Sequence, residues 1–288
     1  MRWPEDIEGW PLTEYSRRVL CRPHRWHVQE AGSGPTLVLL HGAGGATQSW
    51  RGLFPLLAQD FRVVAIDLPG QGFTQMGGRS RCGLDAMAED LTTLMHQEGW
   101  TPDALIGHSA GAALALRLAE IWSGPPPVIG INAALAPFKG VAGWLFPVMA
   151  KVLAIAPFSA ELFVRTSASP AHVRRLIEGT GSTLPPEGLE LYHRLARDRA
   201  HVDAVLAMMA QWDLNPVLSR LPRNTARTLL IATEGDIAVP PRVSDQAAAR
   251  LPNAKVLRLP GLGHLAHEEA PERIAPLIAA HLAGGSGA

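Results

Sequence analysis

The chain has 288 residues, 47% hydrophobic and 18% charged, which is enough apolar material for one large α/β domain with an inserted subdomain and too apolar for general disorder. Lys plus Arg is 26 and Asp plus Glu is 26, a formal net charge of +0; nothing in this balance favours nucleic acid, whose phosphates require a basic face, and near-zero charge permits self-association into a homo-oligomer. Two cysteines, Cys21 and Cys82, make no disulfide framework, and the start MRWPEDIEGW lacks the basic-then-apolar pattern of a signal peptide, so a cytoplasmic location is expected.

After a polar N-terminal arm, RWHVQEAGSGP reads as a strand and turn. Short apolar runs follow at 36–40, 61–67, 103–107, 127–134, 227–233 and 254–260. Each is bounded by turn residues, the mark of strands buried on both faces of a parallel sheet. Helical patterns at 47–58, 84–98, 110–121, 242–251 and 271–282 lie between them. The alternation predicts an α/β fold with a mostly parallel twisted sheet and helices on both faces.

The alternation stops between 135 and 214, where proline-broken helical patterns run without a buried strand. The expected division is a core of 1–134 and 215–288 and a helical cap of 135–214. A cap there covers the C-terminal ends of the strands, the edge at which ligands bind in open α/β sheets; a second helical packing layer is the plainer reading. The closing AGGSGA reads as a flexible tail.

The stretch IGHSAGAAL, residues 106–114, sets Ser109 between Gly107 and Gly111. An apolar strand precedes it and an alanine-rich helix follows, the setting of a nucleophile elbow. An acid and then a histidine are required downstream. Asp236 follows the strand at 227–233, with Glu234 a rival two residues away, and His264 follows the strand at 254–260, with His267 a rival at the next helix start. Asp236 and His264 are preferred, the histidine because Gly263 marks a tight loop. In this arrangement Ser109 attacks, His264 moves the proton, and Asp236 holds the imidazole in one tautomer. The backbone N–H groups of Ala110 and of Ala43 in HGAGG, with Gly44 second to Ala43, are the expected oxyanion donors. His41 is expected to bond loop backbone.

HGAGG, DLPGQG, GHSAG, GDIAVP and GLGH together resemble the α/β-hydrolase fold and span nearly the whole chain. The resemblance carries the nucleophile, acid and base roles onto Ser109, Asp236 and His264. Some branches place the acid after the sixth strand, but that run ends here in Asn132; a serine nucleophile argues against the dehalogenase and epoxide-hydrolase branches. Gln71 in DLPGQG stands where a histidine is common, in a loop read as structural.

WPLTEYSR, RWHVQEAGSGPTLVLLHGAGGATQSWRGLFPLLA and GHSAGAALALRLA further resemble the magnesium-chelatase accessory family of bacteriochlorophyll synthesis. That resemblance implies a photosynthetic, tetrapyrrole context with magnesium-chelatase subunits as partners. Fold does not fix function, so two expectations stand. One is a serine hydrolase acting on an ester-like bond of a hydrophobic small molecule. The other is a non-catalytic accessory that holds a tetrapyrrole or assists the chelatase.

Trp144, Phe146 and Met149 in the cap are the expected pocket residues, suited to a flat apolar ligand or an acyl chain. Lys151 and Pro147 interrupt the apolar run, and a span needs roughly 20 apolar residues, so no transmembrane helix is expected; pocket roof and cap core rank above peripheral membrane contact. His24 and His27 in HRWH, with the cap histidines His172, His193 and His201, lack zinc-ligand spacing. No metal and no cofactor is expected.

Overall fold

The computed structural model describes residues 1–136 and 169–284. Eight strands form one sheet, in the order β1-β2-β4-β3-β5-β6-β7-β8. They are β1 (Ser16–Cys21), β2 (His24–Ala31), β3 (Thr36–Leu40), β4 (Arg62–Ile66), β5 (Ala104–His108), β6 (Val128–Ile131), β7 (Thr228–Thr233) and β8 (Ala254–Leu259). β1 and β2 pair antiparallel, as do β2 and β4, and all other pairs are parallel.

The strands read as unbroken apolar runs because the sheet is covered on both faces. Val38, Leu40, Val64 and Ile66 belong to one buried cluster with α2 (Leu84–Glu98) and α3 (Ala110–Ala119). Their neighbours Leu37, Leu39, Val63 and Ala65 belong to the other, with α1 (Leu53–Leu57) and α10 (Pro271–Ala283). Side chains alternate faces along a strand, so a two-sided core needs apolar residues at every position. Each fully buried Leu or Ile contributes about 1.5–3 kcal/mol.

Two elements differ from the sequence reading. β1 lies in what reads as a polar arm: SRRVLC buries only Val19 and Cys21 while Leu20 is 66% exposed. An edge strand with one covered face needs few apolar residues, so its pattern is faint. The single helix expected at 47–58 is a 3-10 turn, Thr47–Trp50, followed by α1. The break falls at Gly52, where a Cβ would approach the Pro271 ring to 2.8 Å.

Between β6 and β7 the described residues are helical. α4 (Pro170–Glu178), α5 (Pro186–Arg197) and α6 (Arg199–Gln211) are the described helices of the insertion, and α7 (Asn215–Arg220) returns the chain to the sheet. α4 starts with Ser169 accepting from the His172 N–H and with Pro at the first turn. α6 starts with Asp198 accepting from the His201 N–H at 2.7 Å. Both are helix starts in which a side-chain oxygen satisfies an orphan N–H. α8 (Arg242–Ala248) and α9 (Ala266–Glu269) complete the described helices. None of these is long and apolar enough to cross a membrane.

The tightest point is where β5 turns into α3. A Cβ on Gly111 would lie 2.1 Å from the Leu40 carbonyl oxygen, and one on Gly107 would lie 2.3 Å from Gly111 backbone. Backbone atoms cannot yield to a methyl as a side chain can. Gly111→Ala is therefore expected to cost about 3 kcal/mol or more, or to prevent folding, because overpacking against rigid atoms is not relieved by rotamer change. Thermal denaturation beside Gly124→Ala, whose position is open, measures the difference.

Candidate active site

Ser109 leaves β5 in a backbone conformation that side chains rarely adopt, φ 51° and ψ −115°. Strain of this kind persists only where surroundings over-determine it, and it clusters at functional sites. Here the Ser109 N–H donates to Ile131 O at 3.0 Å, and its carbonyl accepts from Ala112 N and Ala134 N, each at 3.1 Å. The bend leaves Ser109 half-buried at the C-terminal edge of the sheet, with Ala110 opening α3.

Asp236 and His264 come together in one pair. His264 Nδ1 donates to Asp236 Oδ2 at 2.7 Å, both residues being buried. Asp236 Oδ1 accepts from the Val239 N–H at 2.7 Å. Glu234, the rival acid, is exposed. His267, the rival base, is fully buried with its ring 4.7 Å from Trp50 and 4.4 Å from His108, and neither of its nitrogens has a partner among the described residues. Burial pushes the His267 imidazole down to about 3.

The loop that carries His264 is held by hydrogen bonds from several elements. The His264 carbonyl accepts from His108 Nε2 at 2.9 Å and from Asn132 Nδ2 at 2.9 Å. The Gly263 carbonyl accepts from Thr233 Oγ1 at 2.7 Å. The Gly263 N–H donates to Glu269 Oε1 at 3.1 Å, and the Leu265 N–H to Ser182 Oγ at 2.8 Å. His108, the variable residue of the GHSAG motif, thus ties the elbow to the base loop. It is neutral at ordinary pH because burial, then neighbouring His267 and His264, lower its pKa well below the usual value. Asn132 follows β6 with φ 47°, a conformation asparagine tolerates better than most residues. Its Oδ1 accepts from the Thr233 N–H at 2.9 Å. In the sequence Asn132 marks only the end of a strand, and its bridging role has no sequence signal.

The HGAGG loop after β3 faces the elbow. A Cβ on Gly42 would approach His108 Nδ1 to 2.8 Å and Ser109 Cβ to 3.1 Å. The Gly44 N–H donates to Gln71 Oε1 at 3.0 Å, so that donor is already engaged, whereas none of the described residues accepts from the Ala43 N–H. Gln71 is fully buried, and its Nε2 reaches Met208 Sδ of α6 at 3.3 Å. The residue that departs from the common DLPGHG pattern therefore links the loop to the insertion. His41 bonds loop backbone as expected: Nδ1 donates to Gly42 O at 2.8 Å and Nε2 accepts from Leu68 N at 2.9 Å.

His24 and His27 stand apart from this edge. His24 pairs with Asp90 at 2.9 Å and His27 with Asp67 at 2.7 Å, each buried and each with its own acid. Among the described residues no group of three or more His, Cys, Asp or Glu is arranged to hold a metal ion. Both cysteines are buried free thiols, and burial pushes Cys82 up to about 11. Trp144, Phe146 and Met149 lie outside the described residues.

Fold and site define the class. The chain belongs to the alpha/beta hydrolase family, whose sequence pattern matches residues 37–277. It is 44% identical over 278 residues to the magnesium-chelatase 30 kDa subunit of Rhodobacter capsulatus, covering 96% of this chain and 97% of that one. Two solved structures share the fold. An epoxide hydrolase, CorEH, superposes with a TM-score of 0.79 at 18% identity, covering 93% of this chain and 98% of its own. A serine hydrolase involved in carbazole degradation superposes with a TM-score of 0.74 at 20% identity and the same coverage, 93% and 98%.

The insertion is docked through a buried histidine whose titration can be followed. His201 Nδ1 accepts the Gly72 N–H at 3.1 Å, and burial lowers its pKa from 6.5 to about 4. The unfolded chain therefore takes up the proton first, and stability is lost as pH falls from about 6.5 to about 4. Below that window both states are protonated and the loss is complete. His201→Asn removes this linkage. The stability advantage of the parent over the variant is expected to shrink by about 3 kcal/mol across that window, as read by urea denaturation at several pH values.

Proposed function

We propose that the protein is a serine hydrolase acting on an ester-like bond of a hydrophobic small molecule, in a magnesium-chelatase and tetrapyrrole context. One observation carries the reading: the 2.7 Å His264–Asp236 pair stands at the same sheet edge as the strained Ser109 elbow. With the Nδ1–H held by Asp236, Nε2 is the nitrogen that can accept a proton from Ser109. The hydroxyl attacks the substrate carbonyl as that proton leaves. Protonated His264 then returns it to the departing alcohol, and water repeats the sequence on the acyl-serine. The negative oxygen of each tetrahedral intermediate is met by the Ala43 and Ala110 N–H groups, Gly44 being engaged by Gln71.

The substrate is an apolar molecule enclosed by the insertion, with Trp144, Phe146 and Met149 as its proposed pocket. The tetrapyrrole class and a chelatase partner are supported by the 44% identity to a protein named as a magnesium-chelatase subunit. The alternative reading is a non-catalytic accessory that holds a tetrapyrrole in the pocket or assists the chelatase.

A fluorophosphonate probe separates the two. Labelling of the parent protein and loss of labelling in Ser109→Ala are expected. A folded parent protein that is not labelled, yet binds a porphyrin with quenching of tryptophan fluorescence, would favour the accessory.

The acid and base assignments have their own comparison in acyl-ester turnover. His264→Ala is expected to lower kcat by about 10³-fold or more and Asp236→Asn by about 10²- to 10⁴-fold, while Glu234→Gln stays within about twofold. His267→Gln, which keeps polar atoms in the buried site, is expected to retain kcat within about tenfold, since no proton passes through it in this mechanism. A reversal within either pair reassigns that role.

A further inference from the structure

The turn Thr180–Gly181–Ser182 joins α4 to the segment leading into α5, and it touches both loops that carry the proposed acid and base. The Ile237 N–H donates to Thr180 O at 3.1 Å. The Leu265 N–H donates to Ser182 Oγ at 2.8 Å. Ile237 follows Asp236 and Leu265 follows His264, so one three-residue turn accepts the N–H next to each partner of the pair. The approach is closer than side chains would allow. Gly181 has φ +87°, and a Cβ there would lie 1.9 Å from the Gly235 carbonyl oxygen. A Cβ on Gly263 would lie 2.3 Å from Gly181 backbone. Three glycines, one from each segment, let three backbones meet.

The turn is rigidly joined to the insertion. The Gly181 N–H donates to Glu178 O at 2.9 Å, and Thr180 Oγ1 donates to Ile177 O at 2.6 Å. Ile177 of α4, Leu184, Leu189 of α5 and Leu265 form one buried apolar cluster. The residue next to His264 thus belongs to the core of the insertion as well as to the base loop. Ser182 is 1% exposed. Without its oxygen the Leu265 N–H would be buried and unsatisfied, which drives the loop to move toward another acceptor.

We propose that Ser182 is a positioning residue for His264, and that through it the helical insertion sets the geometry of the His264–Asp236 pair. The proposal rests on the serine-hydrolase reading and extends it: the insertion supplies part of the support that holds the base, through the 180–182 turn.

Two measurements on Ser182→Ala test it: the rate of fluorophosphonate labelling at Ser109, and the low-field proton resonance of the His264 Nδ1–H held by Asp236. The labelling rate is expected to fall about tenfold, because small displacements of a positioned base cost rate steeply. The resonance is expected to broaden or shift, and Ser182→Thr, which keeps the oxygen, to restore both. Ser182→Cys, a weaker acceptor of similar size, is expected to fall between serine and alanine. This milder variant keeps the comparison available if Ser182→Ala does not fold. Parent-like labelling and resonance in a folded Ser182→Ala or Ser182→Cys would overturn the proposal. If the parent is not labelled at all, the hydrolase reading fails, and the resonance alone decides whether Ser182 holds the pair: an altered signal supports it and an unchanged one overturns it.

Discussion

The approach of three backbones at the end of β5 is the constraint on which the site depends. The Leu40 carbonyl, Gly107 and Gly111 sit so close that a methyl group on either glycine would overlap backbone atoms. This closeness lets the chain reverse from strand to helix within one residue, and it drives Ser109 into positive φ. The small residues of α3, AGAALALRLA, then pack directly on the sheet. The serine hydroxyl and the first N–H groups of α3 come to the same edge because no intervening turn separates strand from helix.

Around that edge the structure solves a desolvation problem. Loops that would normally be solvated are buried here, and a buried carbonyl or N–H without a partner costs about 1–3 kcal/mol. Side chains supply the partners: His108 and Asn132 donate to the His264 carbonyl, and Thr233 to that of Gly263. The same burial keeps His108 neutral. A neutral imidazole there holds the base loop without setting a positive charge beside His264, which in the proposed mechanism must itself become positive.

Among the described residues four sets of polar contacts, buried or half-buried, join the insertion to this edge. His201 accepts from Gly72, Met208 contacts Gln71, which holds Gly44, and Tyr192 donates to Glu268 at 2.7 Å. Burial pushes the Glu268 carboxyl up to about 7 against the opposing pull of Arg51 and Tyr192. The Thr180–Ser182 turn is the fourth contact. The Thr180–Ser182 turn reaches the loops that carry Asp236 and His264, and Glu268 lies in the short helix that follows the His264 loop. An insertion attached by specific hydrogen bonds has a defined seat, whereas apolar contact alone would let it slide.

Much of this was legible in the sequence, for physical reasons. Strands covered on both faces must be apolar throughout, so five parallel strands of the interior could be read from their runs, and the glycines beside Ser109 announced a close approach that only glycine permits. Chain order and strand ends were enough to bring Asp236 and His264 together, because a parallel sheet collects the C-terminal ends of its strands at one edge. What only the tertiary structure decided was the support around them. Edge strand β1 buries one side only and leaves a weak pattern. Asn132, His108, Gln71 and Ser182 act through partners 27 to 156 residues away. Hydrogen bonds across such separations leave no periodicity in a sequence, since they are set by where the packed layers bring the loops and not by any property of the residues beside them.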